Sequence, residues 1–495
     1  MAGGGLLAAV VAVVLAFALS PRVGLAEDGD AAPSADPMYV AQIVGGEQYE
    51  TLKAAIDASA DGDEIVLLAD ASLPSTSFPA DKSLVIDGEG HTIDAGQAYL
   101  NIAGDVTFKN CAMNFHGVPN GHWMYIYMAS NGKLTFDSAT VSIDGSEASD
   151  NTTAMYFPEP NTPRAEVHII NSTLTAENCR GNGISWGGKP DNGYNKLDIQ
   201  GSTVTIQNCA EKNTSGGGGI IGTFDVYVMG SSLSVLDNKS YGSNGSNYYV
   251  SNSTLNYSNN GTHGLSATDL VIEDRSTVTA EGNGYYGVYA SGDFLVDGTS
   301  KLYVSGNSFN GDFAGLKLTS GVTDGIVESG AEVSITDNYC SGLSNNGKVA
   351  FEEGAKLTIT GNLNDKGTSS RGGGVYNSGD AANLTLPSNA VIYNNHAATD
   401  GDDIFNNTTA KITFGSVGSD WALDGKGIGG FSDDCTDAID GWYDDSEGSR
   451  WEAHNRPLHA QEVEAGTVTG LTALKAAHGL IPLDPDDPDA PTWET

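Results

Sequence analysis

A chain of 495 residues has the length of three ordinary domains, yet 64 glycines, abundant Asn, Ser and Thr, and only 39% hydrophobic residues suit one repetitive array of short strands and turns. With 23 Lys and Arg against 63 Asp and Glu the formal charge is −40, which argues against nucleic acid, pectate or any other polyanion as partner unless cations bridge the two. The same acidity favours solubility through self-repulsion and offers carboxylates to Ca²⁺.

In chain order, the apolar run Leu6 to Leu19, then Ser20-Pro21 and Gly24-Leu25-Ala26 before Glu27, reads as a signal peptide over residues 1–26, although no Lys or Arg precedes Arg22. The alternative, a membrane anchor, is short for a span. The expectation is therefore a secreted or bacterial cell-surface protein with no membrane insertion after cleavage. A linker is expected over 27–46. Leu52, Ala55 and Ile56 then share one helical face, followed by the turn Asp61-Gly62-Asp63 and the apolar strand Ile65 to Leu68. This predicts a helix that covers the first edge of the array beyond it.

From about residue 134 to 395 one phrase recurs at intervals of 22 to 34 residues: a small residue, an apolar residue, any residue, a second apolar residue, and an Asn shortly after. Leu174 to Asn178, Val204 to Asn208, Leu233 to Asn238, Val278 to Asn283, Leu302 to Asn307, Val333 to Asn338 and Leu357 to Asn362 are instances. Each period holds a second alternating strand (Leu197-Asp-Ile199, Val226-Tyr-Val228, Leu270-Val-Ile272) and a third that opens on Gly. Alternation puts Ile184, Ile220, Leu265, Val288, Leu316, Leu343 and Val375 of the third strands inside.

Such a pattern predicts an all-β fold: a right-handed parallel β-helix solenoid over residues 47–414, three strands per coil and about 10–12 coils, roughly 50 Å long at the sheet spacing. The recurring Asn suits a left-handed turn position and a structural ladder, not a set of glycan acceptors. Five Cys leave no complete disulfide framework, and Cys179 and Cys209 read as stacked equivalents whose parallel side chains disfavour a bond.

Three groups of residues carry candidate chemistry. Tyr127 and Tyr156 share an outward column, with Trp123 near and Trp186 farther along, and an exposed aromatic ladder suits sugar rings; ordinary cross-strand packing is the alternative. His168 and Asp198 take the same outward position in successive coils, about 4.8 Å apart, with Tyr227 next, a column able to do acid/base work or to stand as a solvated stack. Asp400, Asp402 and Asp403 could ligate Ca²⁺ in a turn, outside any EF-hand spacing, or form an acidic turn. No other cofactor is expected.

Past residue 414 the repeat stops, and Trp421, Trp442 and Trp451 suggest a small aromatic-rich C-terminal cap over 415–481. It includes a short helix expected from Leu471 to His478, stopped by Gly479. The Pro/Asp tail 482–495 is expected to be disordered.

The run Tyr49-Glu-Thr-Leu-Lys-Ala-Ala-Ile-Asp, then Asp61-Gly-Asp-Glu-Ile-Val-Leu-Leu, resembles the start of pectate-lyase-like β-helix surface proteins of bacteria. Gly372-Gly-Gly-Val-Tyr-Asn-Ser-Gly, with Asn394-Asn-His-Ala and Gly401-Asp-Asp-Ile-Phe-Asn, resembles the repeat of polymorphic outer-membrane adhesins. Together they cover roughly residues 49 to 414. The segment from Asp440 to Gly479 is similar to a stretch that follows such helices in other surface proteins. The resemblance implies the fold and leaves function open, because the same fold carries lyases, glycosidases, tailspikes and adhesins. Lyases of this kind need a basic residue and Ca²⁺-binding acids; none of the seven Arg sits in a recognisable lyase motif, and Asp433-Asp434-Cys435 and His478-Gly479 match polygalacturonase fragments only beyond the coils.

The expected function is therefore that of an adhesin-like protein whose long face binds glycans or host or neighbouring-cell surface molecules. A polysaccharide lyase or glycoside hydrolase is the rival, and a passive stalk is the third reading. The sequence leaves the oligomeric state open.

Overall fold

The computed structural model describes residues 38–477 apart from 149–150, 158–163, 187–193, 212–216, 309–312, 367–369, 389, 416–421, 424–436, 439–440, 448–458 and 462–465. The expected signal peptide, the linker up to residue 37, Trp421, Trp451, Asp433-Asp434-Cys435, His478-Gly479 and the tail 482–495 lie outside the described residues.

From Tyr39 onwards the protein is nearly all β with long parallel sheets, an arrangement consistent with a β-helix-like solenoid. Strict alternation is the reason. In Lys133–Asp137, Glu166–Ile170, Asn195–Gln200 and Phe224–Met229, parallel register stacks Leu134, Val167, Leu197 and Val226 on the inner face and Thr135, His168, Asp198 and Tyr227 on the outer one. A separate parallel sheet, of 13 strands among the described residues, aligns Val141, Leu174, Val204 and Leu233 in the same way. These inner side chains are fully or almost fully buried. Each stabilises by about 1.5–3 kcal/mol, but only with a rung above and below it, so stability belongs to the stack.

The Gly-led strands bury Ile184, Ile220, Leu265, Val288, Leu316, Leu343 and Val375, as alternation predicts. Between Ile220 and Leu265 the column also contains Ser243, which the apolar pattern passes over. Its hydroxyl meets that of buried Tyr248 at 2.5 Å, so one polar residue is satisfied by another inside the core. Both belong to the 11-residue strand Tyr241–Ser251, whose first half pairs with Gly218–Ile221 and whose second half pairs with Phe224–Met229. Gly245, at φ +90, sits where the register of this strand slips.

The Asn signal resolves into two adjacent positions. The left-handed residue is Asn178, Asn208, Asp237, Asn259 or Asn394 in some rungs and Gly282, Gly306 or Gly361 in others. The residue after it points inward. There Asn238, Asn260, Asn283, Asn307, Asn338, Asn362 and Asn395 form a buried ladder in which each Nδ2 donates to the Oδ1 of the next at 2.8–3.0 Å. Cys179 and Cys209 follow the left-handed Asn in the rungs before it, and the Cys209 backbone N–H donates to Asn238 Oδ1. Cys111, Cys179, Cys209 and Cys340 are free thiols, in keeping with the unfavourable geometry expected for a bond between Cys179 and Cys209. A second ladder, not anticipated, runs through Ser172, Ser202, Ser231, Ser253 and Ser276, each hydroxyl accepting the backbone N–H of the preceding rung.

At the first edge, Leu52–Ala58 is the helix expected, with Thr51 as its N-cap and Leu52, Ala55 and Ile56 buried. It packs on Ala41–Ile43, Gln48–Tyr49 and Glu64–Leu67. Ala41–Ile43, assigned to the linker on sequence, is a strand antiparallel to the other two. At the far edge the expected helix from Leu471 is instead the strand Thr472–Ala477. It runs antiparallel to Ile404–Asn406, while Gly466–Thr469 does the same to Lys411–Phe414. The last parallel strands would otherwise leave a row of N–H and C=O groups unpaired, and satisfying them outweighs the helical propensity of Leu-Thr-Ala-Leu-Lys-Ala-Ala. Trp442 is buried against Phe414 with ring centroids 6.0 Å apart.

Candidate functional site

Two outward columns on neighbouring parallel runs carry the candidate chemistry. On Met124–Met128 and Thr153–Phe157, Ile126 pairs with Met155 inside and Tyr127 with Tyr156 outside. The two tyrosine rings stack at 6.3 Å and 29°. Trp123, 45% exposed, stands edge-on to Tyr156 at 4.5 Å. The column extends further than the sequence suggested. Tyr99, just before Leu100–Ile102, lies 6.4 Å from Tyr127, and exposed His122 stacks on Tyr99 at 3.5 Å and 10°. Burial, then the neighbouring Tyr127, raises the Tyr99 phenol above its ordinary value of 10.0, so the Tyr99 hydroxyl stays protonated at physiological pH.

Trp186 is not part of this group. It pairs in register with inward Phe157, packs on the core beside Phe224 at 6.4 Å, and its enclosed indole Nε1 has no hydrogen-bond partner among the described residues. The register partner of Tyr156 in that strand is Ser185.

On the other run, His168 and Asp198 are register partners with Tyr227 next. His168 Nδ1 lies 3.2 Å from Asp198 Oδ2, and Nε2 lies 3.1 Å from Glu166 Oε2. Asp198 is only 2% exposed, and it also accepts from Lys196 Nζ at 2.8 Å and from Gln200 Nε2 at 3.1 Å. Burial alone would push its carboxyl up; the hydrogen bonds from His168, Lys196 and Gln200, with the Lys196 charge, overcome it and hold the group well below the ordinary 3.8. Asp198 is thus a fixed anion, suited to orienting His168 and unsuited to giving or taking a proton near neutrality. Tyr227 stacks on Tyr249 at 4.9 Å and 18°, with Lys196 Nζ 5.1 Å from the Tyr227 ring centre.

Asp400, Asp402 and Asp403 do not converge. Asp400 meets Arg371 at 2.9 Å and accepts from the Glu447 backbone; Asp402 meets Lys475 at 2.7 Å and accepts from Ala397 N–H at 2.9 Å. Asp403 ends the asparagine ladder, accepting from Asn395 N–H and Nδ2 on one oxygen and from Ala476 N–H on the other. Among the described residues no group of three or more His, Cys, Asp or Glu is placed to hold a metal ion, so these carboxylates do not fit the Ca²⁺ site suggested on sequence. They clasp the last parallel strands to the antiparallel ones.

The chain matches no family model, no curated protein and no solved structure.

Sequence reasoning missed Glu166, Lys196, Gln200, Tyr99 and His122. The first three were readable: Glu166-x-His168 and Lys196-x-Asp198-x-Gln200 alternate, which places all five side chains on one face. Tyr99 precedes its strand and had no periodic signal.

Proposed function

We propose that the protein is an exported cell-surface right-handed parallel β-helix, three strands to the coil, that binds glycans along the Tyr99, Tyr127 and Tyr156 column with Trp123 at its rim. The supporting observation is the stack of Tyr127 on Tyr156 beside a Trp123 that is 45% exposed, an aromatic patch on the outer face that solvent reaches. Pyranose rings lay their C–H faces on such surfaces while hydroxyls bond at the edge. The test is a glycan array with purified protein. Wild type should bind a defined set, and Tyr127→Ala with Tyr156→Ala should lose it with an unchanged melting midpoint. Binding that survives both substitutions overturns the reading.

The pairing of His168 with Asp198 supports a second reading, a polysaccharide-cleaving enzyme in which Asp198 orients His168. Product release from a polysaccharide panel, abolished by His168→Ala, would establish it.

A further inference from the structure

The column that begins with His168 and Asp198 changes character along the stack. In successive register it continues as Tyr227, Tyr249, Val271, Leu295 and Ile326, five outward rungs without an ionic side chain. All five are half-buried on the outer face, and none of them is among the half-buried side chains that pack on the core. Two residues to one side on the same rungs stand Asp225, Asp269 and Asp293; two residues to the other stand Glu273, Asp297 and Glu328. Three of these carboxylates are fixed by backbone N–H groups. Asp269 Oδ1 accepts Asp293 N–H at 2.8 Å, Asp297 Oδ2 accepts Asp274 N–H at 2.6 Å, and Glu328 Oε2 accepts Gly298 N–H at 3.0 Å. Their charge is felt in the column: burial first, then Asp225, Asp269 and Asp293, push the Tyr249 phenol up to about 12.

We infer that this acid-rimmed apolar column is a docking surface for a basic amphipathic helix. The geometry matches in two respects. Five rungs at about 4.8 Å span roughly 19 Å, close to four helical turns at 5.4 Å, so an apolar i, i+3, i+4, i+7 stripe follows the column. Columns two residues to either side lie about 7 Å from the centre, where Lys or Arg flanking a helical stripe would meet the acids. Charge excludes the competing occupants. A second copy also carries −40, and an anionic bilayer surface would be repelled. A sugar would find flat rings at Tyr227 and Tyr249 only, since the other three rungs are aliphatic. The surface is separate from the Tyr127 and Tyr156 column and does not depend on the glycan reading.

The test uses the full chain and a fluorescent 15-residue helical peptide of Leu and Lys with one apolar stripe, read by anisotropy. Controls are a scrambled peptide of the same composition and a Leu/Glu counterpart. Leu295→Gln with Ile326→Gln should weaken binding by about a hundredfold, each lost apolar contact being about 1.4 kcal/mol or tenfold. Asp269→Asn with Asp293→Asn keeps the oxygen that accepts Asp293 N–H; it should weaken binding several-fold at low salt and flatten its salt dependence. Tyr127→Ala should leave peptide binding unchanged, which separates this surface from the glycan column. No binding by the striped peptide, equal binding by the scrambled one, or undiminished binding by variants with wild-type melting midpoints overturns the proposal.

Discussion

The outer face around Asp198 and the last parallel rung around Asp403 each bury an aspartate, and their surroundings drive the two charges in opposite directions. Asp198 sits mid-sheet with Lys196, Gln200 and His168 on the same face, reached by alternation along one strand and register to the next. Asp403 lies where the ladders end, with amide donors for partners and Asp402 as its neighbour. Burial, reinforced by Asp402 and opposed by the Ala476 and Asn395 hydrogen bonds, raises its carboxyl to about 7. Donors and a cation brought by periodicity keep the first ionised; around the second, burial and Asp402 outweigh the amide donors and the Lys475 charge, so its carboxyl titrates near neutrality. One aspartate organises an exposed face and the other closes the core.

Four measurements would break or sharpen this contrast. Asp403→Ala orphans two backbone N–H groups, those of Asn395 and Ala476, while Asn395 Nδ2 keeps its carbonyl acceptors, and should cost about 2–6 kcal/mol in chemical denaturation, at about 1–3 kcal/mol for each orphaned donor. A cost under 1 kcal/mol would mean the clasp is incidental. The pH dependence comes next. Because the Asp403 carboxyl is raised in the folded protein from 3.8 to about 7, its stabilising contribution is complete below 3.8 and fades as pH rises through 7. Wild type should lose about 3 kcal/mol relative to Asp403→Asn between pH 5 and 8. Asp198 has the opposite sign: its carboxyl is depressed, so its contribution is present above the ordinary 3.8 and is lost only in stronger acid.

Asp198→Ala leaves Lys196, Gln200 and His168 without their shared acceptor. With those partners half-exposed the expected cost is about 2–3 kcal/mol, below that of Asp403→Ala. Equal costs would erase the distinction between face and closure. The smallest expected effect on folding is at Trp123, where Trp123→Ala should shift stability by about 0.5 kcal/mol or less while weakening glycan binding. A large loss of stability there would make the aromatic column a packing feature.

Much of this was legible before any coordinates. Period-two alternation placed His168 over Asp198 and Tyr127 over Tyr156, and the i, i+3, i+4 spacing placed Leu52, Ala55 and Ile56 on one buried helical face. The Asn recurrence was visible but its role was divided, because the left-handed residue and the buried ladder residue are adjacent and which of the two is Asn changes from rung to rung. Ser243 escaped because a polar residue inside is recognised only with Tyr248 against it, and Tyr99 because it lies outside the alternating run.

The sequence by itself determined the short parallel strands, which side chains face inward, and the order of residues down each column, since a period of two and a recurrent turn dictate those locally. Tertiary structure decided the ends and the charges. Thr472–Ala477 became a strand because open sheet edges required partners, and the Asp403 carboxyl was raised because burial in the core beside Asp402 outweighs its amide donors and the Lys475 charge. Both outcomes depend on what packs against a residue from far along the chain, which no local pattern specifies.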